Sequence, residues 1–139
     1  MPNLSAHHVG LTVTDLERSV EFYRDGLGLD VRDRFEVAGD AFATAVDVPG
    51  ASGSFAHLDA DGVRVELVEY EPAGDDHTGA ELNQPGAAHL GLAVDDVDAF
   101  VDDLPAAVER VSEPQTTASG TRLVFIRDPD GHLVELLEA

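Results

Sequence analysis

Two passages of this chain each occur twice, in the same order. HVGLTVTDL at 8–16 lies over HLGLAVDDV at 89–97, matching His8 with His89, Gly10 with Gly91, Leu11 with Leu92, Val13 with Val94 and Asp15 with Asp96. DGVRVELVE at 61–69 lies over DGHLVELLE at 130–138, which matches Glu66 with Glu135 and the final Glu69 with Glu138. Similarity repeated in a fixed order marks a duplicated structural unit. Each unit then carries a histidine near its start and a glutamate near its end. EPAGDDHTGAELNQPG at 71–86 is rich in Gly, Pro and polar residues and reads as a connector. The expected organisation is a single domain over residues 1–139, with module one at 5–70, the connector at 71–86 and module two at 87–139.

Both units read alike in secondary structure. In HHVGLTV, His7, Val9, Leu11 and Val13 share one strand face, and His8, Gly10 and Thr12 share the other. AHLGLAV repeats the pattern, with Leu90, Leu92 and Val94 opposite His89, Gly91 and Ala93. Thr14 or Asp15 offers a helix N-cap. Leu16, Val20, Tyr23 and Leu27 then form one helical stripe that Gly28 can end. Module two has Val97, Phe100, Val101 and Leu104, stopped at Pro105. Strand-like runs follow near 31–37, 42–48, 54–59 and 63–70, and near 108–111, 121–127 and 132–138. RDPDG at 127–131 reads as a turn. The coarse order is strand, helix, then three strands, twice.

The opposite face of each first strand holds one histidine among small residues, which leave space above the sheet. In the last strands Glu66 and Glu135 stand where apolar residues are expected, and a buried carboxylate is costly. If the two repeats build one curved sheet, His8, Glu66, His89 and Glu135 converge on its concave side. Two imidazoles and two carboxylates suit a divalent first-row metal, whose charge lets the carboxylates stay ionised. The plainer readings are specific. A lone strand histidine is more often a hydrogen-bonded core residue than a ligand. Glu66 has Arg64 on its own face, and Glu135 has Arg122 or Arg127 on the neighbouring strand. Against them, two His–Glu pairs at symmetric positions are hard to obtain by core accident. Of the remaining histidines, His7 is expected on the helix side or the strand edge, His57 as an ordinary core residue with lining the cavity as its alternative, His77 in the connector and His132 exposed. Glu69 and Glu138 are expected to be solvated.

Charge narrows the partners. The chain has 28 Asp and Glu against 8 Arg, no Lys, and a net charge of −20. Such a surface repels nucleic acid and anionic membranes, so neither is an expected partner. The acids are scattered among apolar residues rather than gathered in a block, as on a folded surface. An acidic coat without lysine points to a halophilic protein, since at molar salt the Debye length is only ~3 Å. The absence of cysteine excludes disulfides, thiolate metal sites and a cysteine nucleophile. No apolar run is long enough to span a bilayer, and no signal peptide is visible, so a cytoplasmic location is expected.

The quoted motifs resemble the vicinal oxygen chelate superfamily, which includes glyoxalase I, extradiol dioxygenases, methylmalonyl-CoA epimerase and fosfomycin or bleomycin resistance proteins. The resemblance rests on HVGLTVTDLERSVEFYRDGLGL (8–29), VELVEY (65–70), AHLGLAVDDVDA (88–99) and FIRDPDGHLVELLE (125–138). It implies an α+β fold of two β-α-β-β-β modules, forming a cup-like mixed sheet with helices outside. By position it implies that His8, Glu66, His89 and Glu135 are metal ligands for Ni, Co, Mn, Zn or Fe. A full ligand set argues against a metal-free resistance protein. Two His and two Glu look most like bacterial-type glyoxalase I; epimerases of the family usually carry Gln at the Glu66 position. The implied reaction is that of a metal-dependent lyase or isomerase. A proton beside a carbonyl is abstracted through a metal-stabilised enediolate, with Glu135 as the base and Glu66 the second candidate. The substrate would be a small molecule with vicinal oxygens, and family habit implies a homodimer. Bacterial glyoxalase I grips glutathione with an Arg and an Asn where this chain has Thr12 and Tyr70, so the thiol cofactor stays open. The alternatives are an extradiol ring-cleaving dioxygenase and a small-molecule-binding or resistance protein without turnover.

Overall fold

The computed structural model describes residues 3–139, which divide into two compact units between Asp75 and Asp76. Unit one runs β1 (Val9–Thr12), α1 (Leu16–Glu21), a π-helical turn (Phe22–Gly26), β2 (Asp30–Val37), α2 (Asp40–Val46), β3 (Ser52–Asp59) and β4 (Arg64–Glu71). Its strands lie in the order β1-β4-β3-β2. Unit two runs β5 (His89–Ala93), α3 (Val97–Asp102), β6 (Glu109–Arg110), β7 (Gln115–Thr116), β8 (Arg122–Arg127) and β9 (Leu133–Leu137). Its order is β5-β9-β8-β6, with β7 also on β8. Both sheets are mixed, and the fold is α+β. Among the described residues no helix is long and apolar enough to cross a membrane.

The same local chemistry builds both units. Asp15 caps α1 by accepting from the Arg18 N–H at 3.1 Å, and Asp96 caps α3 by accepting from the Ala99 N–H at 3.1 Å. The stripe Leu16, Val20, Tyr23 and Leu27 is buried, and α1 packs on β3 and β4. Beneath it Ala56, Leu58, Val65 and Leu67 are fully buried. In unit two Val97, Val101 and Leu104 are buried, as are Val124, Ile126, Val134 and Leu136 of β8 and β9. Each such Leu, Ile or Val contributes roughly 1.5–3 kcal/mol by leaving water. Gly28, at φ 85°, turns the chain after the helix, and the Leu29 N–H reaches back to the Tyr23 carbonyl at 2.9 Å.

One element differs from expectation. FATAVDV at 42–48 is not a strand; α2 covers most of it. Ala41, Ala43 and Ala45 favour helix, and the half-buried Phe42, Ala43 and Val46 follow helical spacing. Asp47, in the left-handed region at φ 57°, ends it. The two-residue β7 carries no sequence signal of its own, because its partner β8 defines it.

Pairing of the first and last strands positions the site. β1 lies parallel to β4 with Gly10 opposite Glu66, and β5 lies parallel to β9 with Gly91 opposite Glu135. A strand's alternation sends Val65 and Leu67, or Val134 and Leu136, under the helix and the glutamate to the other face.

Candidate functional site

Each unit brings its histidine to its glutamate. His8 Nε2 stands 3.5 Å from Glu66 Oε1, and His89 Nε2 stands 3.4 Å from Glu135 Oε1. The histidine side chains are 37% and 43% exposed and the carboxylates 14% and 17%, so both pairs open to solvent at the imidazole. The glycines make room for this. A Cβ at Gly10 would sit 3.8 Å from Glu66 Oε1, and one at Gly91 3.7 Å from Glu135 Oε1, so any longer side chain would press on the carboxylate.

Two of the three arginines that might have neutralised these acids are engaged elsewhere. Arg122 forms a two-pronged pair with Asp98 at 2.6 and 2.8 Å, and its hydrogen bonds hold Asp98 below the usual carboxylate range. Arg127 pairs with Glu109 at 3.2 Å and donates to the carbonyls of Gly131 and Ala80. Arg64 is exposed, and the partners of Glu66 are the histidines. Glu135 therefore lies between Leu133 and Leu137 with no cation of its own chain paired to it among the described residues.

The donor atoms fit a divalent ion. Two ligands each ~2.1 Å from a tetrahedral ion stand ~3.4 Å apart, which is the His–Glu spacing found in both units. The same spacing is long for a His–carboxylate hydrogen bond. Among the described residues no group of three or more His, Asp or Glu side chains is arranged to hold an ion.

The surroundings of the two pairs differ. In unit one, His57 is buried at 6% exposure, and its Nε2 lies 2.7 Å from Glu66 Oε2. It packs on the His8 ring at 5.8 Å and edge-on to Phe35 at 5.1 Å. His57 is buried, as the core reading expects, and is also a direct partner of the carboxylate. His7 is exposed, with its Nδ1 2.8 Å from that of His8 and its ring beside that of His57 rather than under the helix. In unit two the position facing Glu135 belongs to Phe125, whose ring meets His89 edge-on at 5.2 Å.

Two further glutamates were misjudged as solvated. Glu69 accepts from the Leu16 N–H at 2.7 Å and Glu138 from the Val97 N–H at 3.1 Å. Both are half-buried and cap helix N-termini from the last strand. Their matching places in the two repeats were the available signal. His132 is also half-buried rather than exposed, its N–H donating to Asp128 at 2.9 Å inside the RDPDG turn. His77 is exposed in the connector, as expected.

The chain is 31% identical to a 2-epi-5-epi-valiolone epimerase of an Actinomyces species, over 96% of this chain and 79% of that protein. It is 30% identical to a probable lactoylglutathione lyase of Vibrio cholerae, over 99% and 93% of the two chains. A crystal structure of a glyoxalase family protein from Bacillus cereus superposes with a TM-score of 0.88 at 25% identity, covering 99% of this chain and 95% of the other. With residues 5–136 also matching the family's own sequence pattern, the chain belongs to the Glyoxalase/Bleomycin resistance protein/Dioxygenase superfamily.

Proposed function

We propose that the protein is a divalent-metal-dependent lyase or isomerase of glyoxalase type, with His8, Glu66, His89 and Glu135 as its metal ligands. The observation that carries this reading is the His–Glu spacing repeated in both units at 3.5 and 3.4 Å, with no arginine paired to either glutamate among the described residues. When bound, the ion supplies a Lewis acid that stabilises negative charge developing on neighbouring substrate oxygens.

The chain's own residues do the remainder. A carboxylate within reach of a carbon acid takes its proton and returns it to the adjacent carbon. The outcome is an isomerisation of the kind carried out on a thiol–ketoaldehyde adduct. An epimerisation shares the abstraction but needs a second group to deliver a proton to the opposite face, so the lyase and epimerase names among the relatives have only that first step in common. Glu135 is the base in this reading, because its oxygens carry no hydrogen bond among the described residues, whereas Glu66 is held by His57.

The experiment is elemental analysis of the purified protein, followed by assay on hemithioacetals of several thiols. One equivalent of Ni, Co, Mn or Zn per chain, with turnover lost on chelation, is the expected result. No metal uptake after reconstitution would overturn the proposal, and iron with ring cleavage of catechols would redirect it to dioxygenase chemistry.

A further inference from the structure

The two repeats match at His8 and His89, Gly10 and Gly91, and Glu66 and Glu135, but not at the position across the sheet from each glutamate. Registers β3–β4 and β8–β9 place His57 opposite Glu66 and Phe125 opposite Glu135. At this shared position one unit has a buried hydrogen-bond donor and the other an apolar ring. Glu66 consequently has a histidine at each oxygen: Oε2 lies 2.7 Å from His57 Nε2, a hydrogen bond, and Oε1 faces His8 Nε2 at 3.5 Å. Glu135 faces only His89, at 3.4 Å through Oε1. A carboxylate is an acceptor only, so Nε2 of His57 carries the proton in that contact. His57 is in turn held in place, since its ring is buried between His8 and Phe35.

We infer that His57 is a positioning residue that locks Glu66 as a permanent metal ligand and so breaks the symmetry between the two glutamates. This rests on the proposed metal reading. Orientation by an outer hydrogen bond fixes which carboxylate oxygen points at the ion and removes rotamers that must otherwise be frozen on binding. A glutamate anchored at Oε2 cannot swing towards substrate without breaking a charge-assisted bond. Glu135 has no such anchor and remains free to leave its place, take a proton and return. The duplicated fold thus assigns different duties to equivalent carboxylates through one residue on the neighbouring strand.

The test uses the exchange that the protein itself contains. His57→Phe gives unit one the residue of unit two, and Phe125→His does the reverse. Cobalt(II) affinity of the full-length protein is measured by calorimetry, with the visible absorption of bound cobalt and thermal unfolding recorded alongside. His57→Phe is expected to weaken cobalt binding by about 10–100-fold and to alter the cobalt spectrum. His57→Gln, which keeps a donor near Nε2, should recover most of both. Phe125→His should bind cobalt at least as tightly as the parent while turning over more slowly, because it anchors the base. A His57→Phe variant with affinity within twofold of the parent and an unchanged spectrum overturns the inference and leaves the metal reading intact. A parent protein that takes up no cobalt overturns both. Loss of melting temperature without a change in affinity or spectrum marks His57 as a packing residue and also overturns the inference.

Discussion

The carboxylate of Glu69, near the end of β4, accepts the backbone N–H of Leu16 at the start of α1, at 2.7 Å across 53 residues of chain. Glu138 does the same for Val97 at 3.1 Å. Together with Asp15 and Asp96, each helix has two carboxylates satisfying two of its four free N–H groups, and both favour the helix dipole. Glu69→Ala is expected to lower stability by ~1–2 kcal/mol, with Glu69→Gln losing less because it keeps an acceptor. Urea unfolding measures this. Metal uptake should not change, and a variant that lost metal but kept its stability would contradict the assignment of Glu69 to the helix.

Glu135→Gln separates binding from chemistry. An amide oxygen can still face an ion but cannot take a proton. Turnover should fall by at least ~100-fold, in the range typical for loss of a general base. Metal content should fall far less. Turnover close to that of the parent would remove Glu135 from the role of base.

The glycine beside each glutamate is a spacing requirement. At Gly91 an added Cβ lies 3.7 Å from Glu135 Oε1, an ordinary contact, so Gly91→Ala should be tolerated. Gly91→Leu must push the carboxylate aside and is expected to weaken metal binding by roughly tenfold or more. Calorimetry on both variants, at matched melting temperatures, decides it. Unchanged binding in the leucine variant would count against Glu135 as a ligand.

Ser19 lies fully buried on α1, and its hydroxyl has no hydrogen-bond partner among the described residues. An unsatisfied buried hydroxyl destabilises, and alanine is the better helix former. Ser19→Ala should therefore raise stability by about 1 kcal/mol in denaturant titration. A loss of stability would show that the hydroxyl is satisfied, for instance by a trapped water.

With a net charge of −20, the folded chain should be stabilised by salt. Raising ionic strength from ~0.1 M to ~1 M shortens the Debye length from ~10 Å to ~3 Å and screens repulsion among the acids. Local pairs such as Arg122–Asp98 offset only part of it. The melting temperature should rise through this range in potassium chloride. A flat or falling curve would sink the inference of adaptation to a high-salt environment.

The duplication, the helix stripes and the His–Glu pairing were legible in the sequence, because each is a local pattern. Alternation puts Glu66 and Glu135 on the face away from the helices whichever strands lie next to them. Repetition of His8 with Glu66 as His89 with Glu135 marks those positions without any coordinates. The residues 42–48 misled because a short apolar run fits strand and helix alike, and the alanines decide only in the context of Gly39 and Asp47. Glu69 and Glu138 misled because a charge at a strand end is usually solvated, and only the packed helix shows which N–H they meet. His57 was the largest gap. Nothing local distinguishes a histidine in SFAHLD from a core residue. Its role depends on the β3–β4 register, which places it opposite Glu66 and gives the matching place in unit two to Phe125. Sequence determined which side chains share a face, since that follows from backbone periodicity. Tertiary structure decided which of them touch, since strand register and helix docking arise from burial summed over the whole unit.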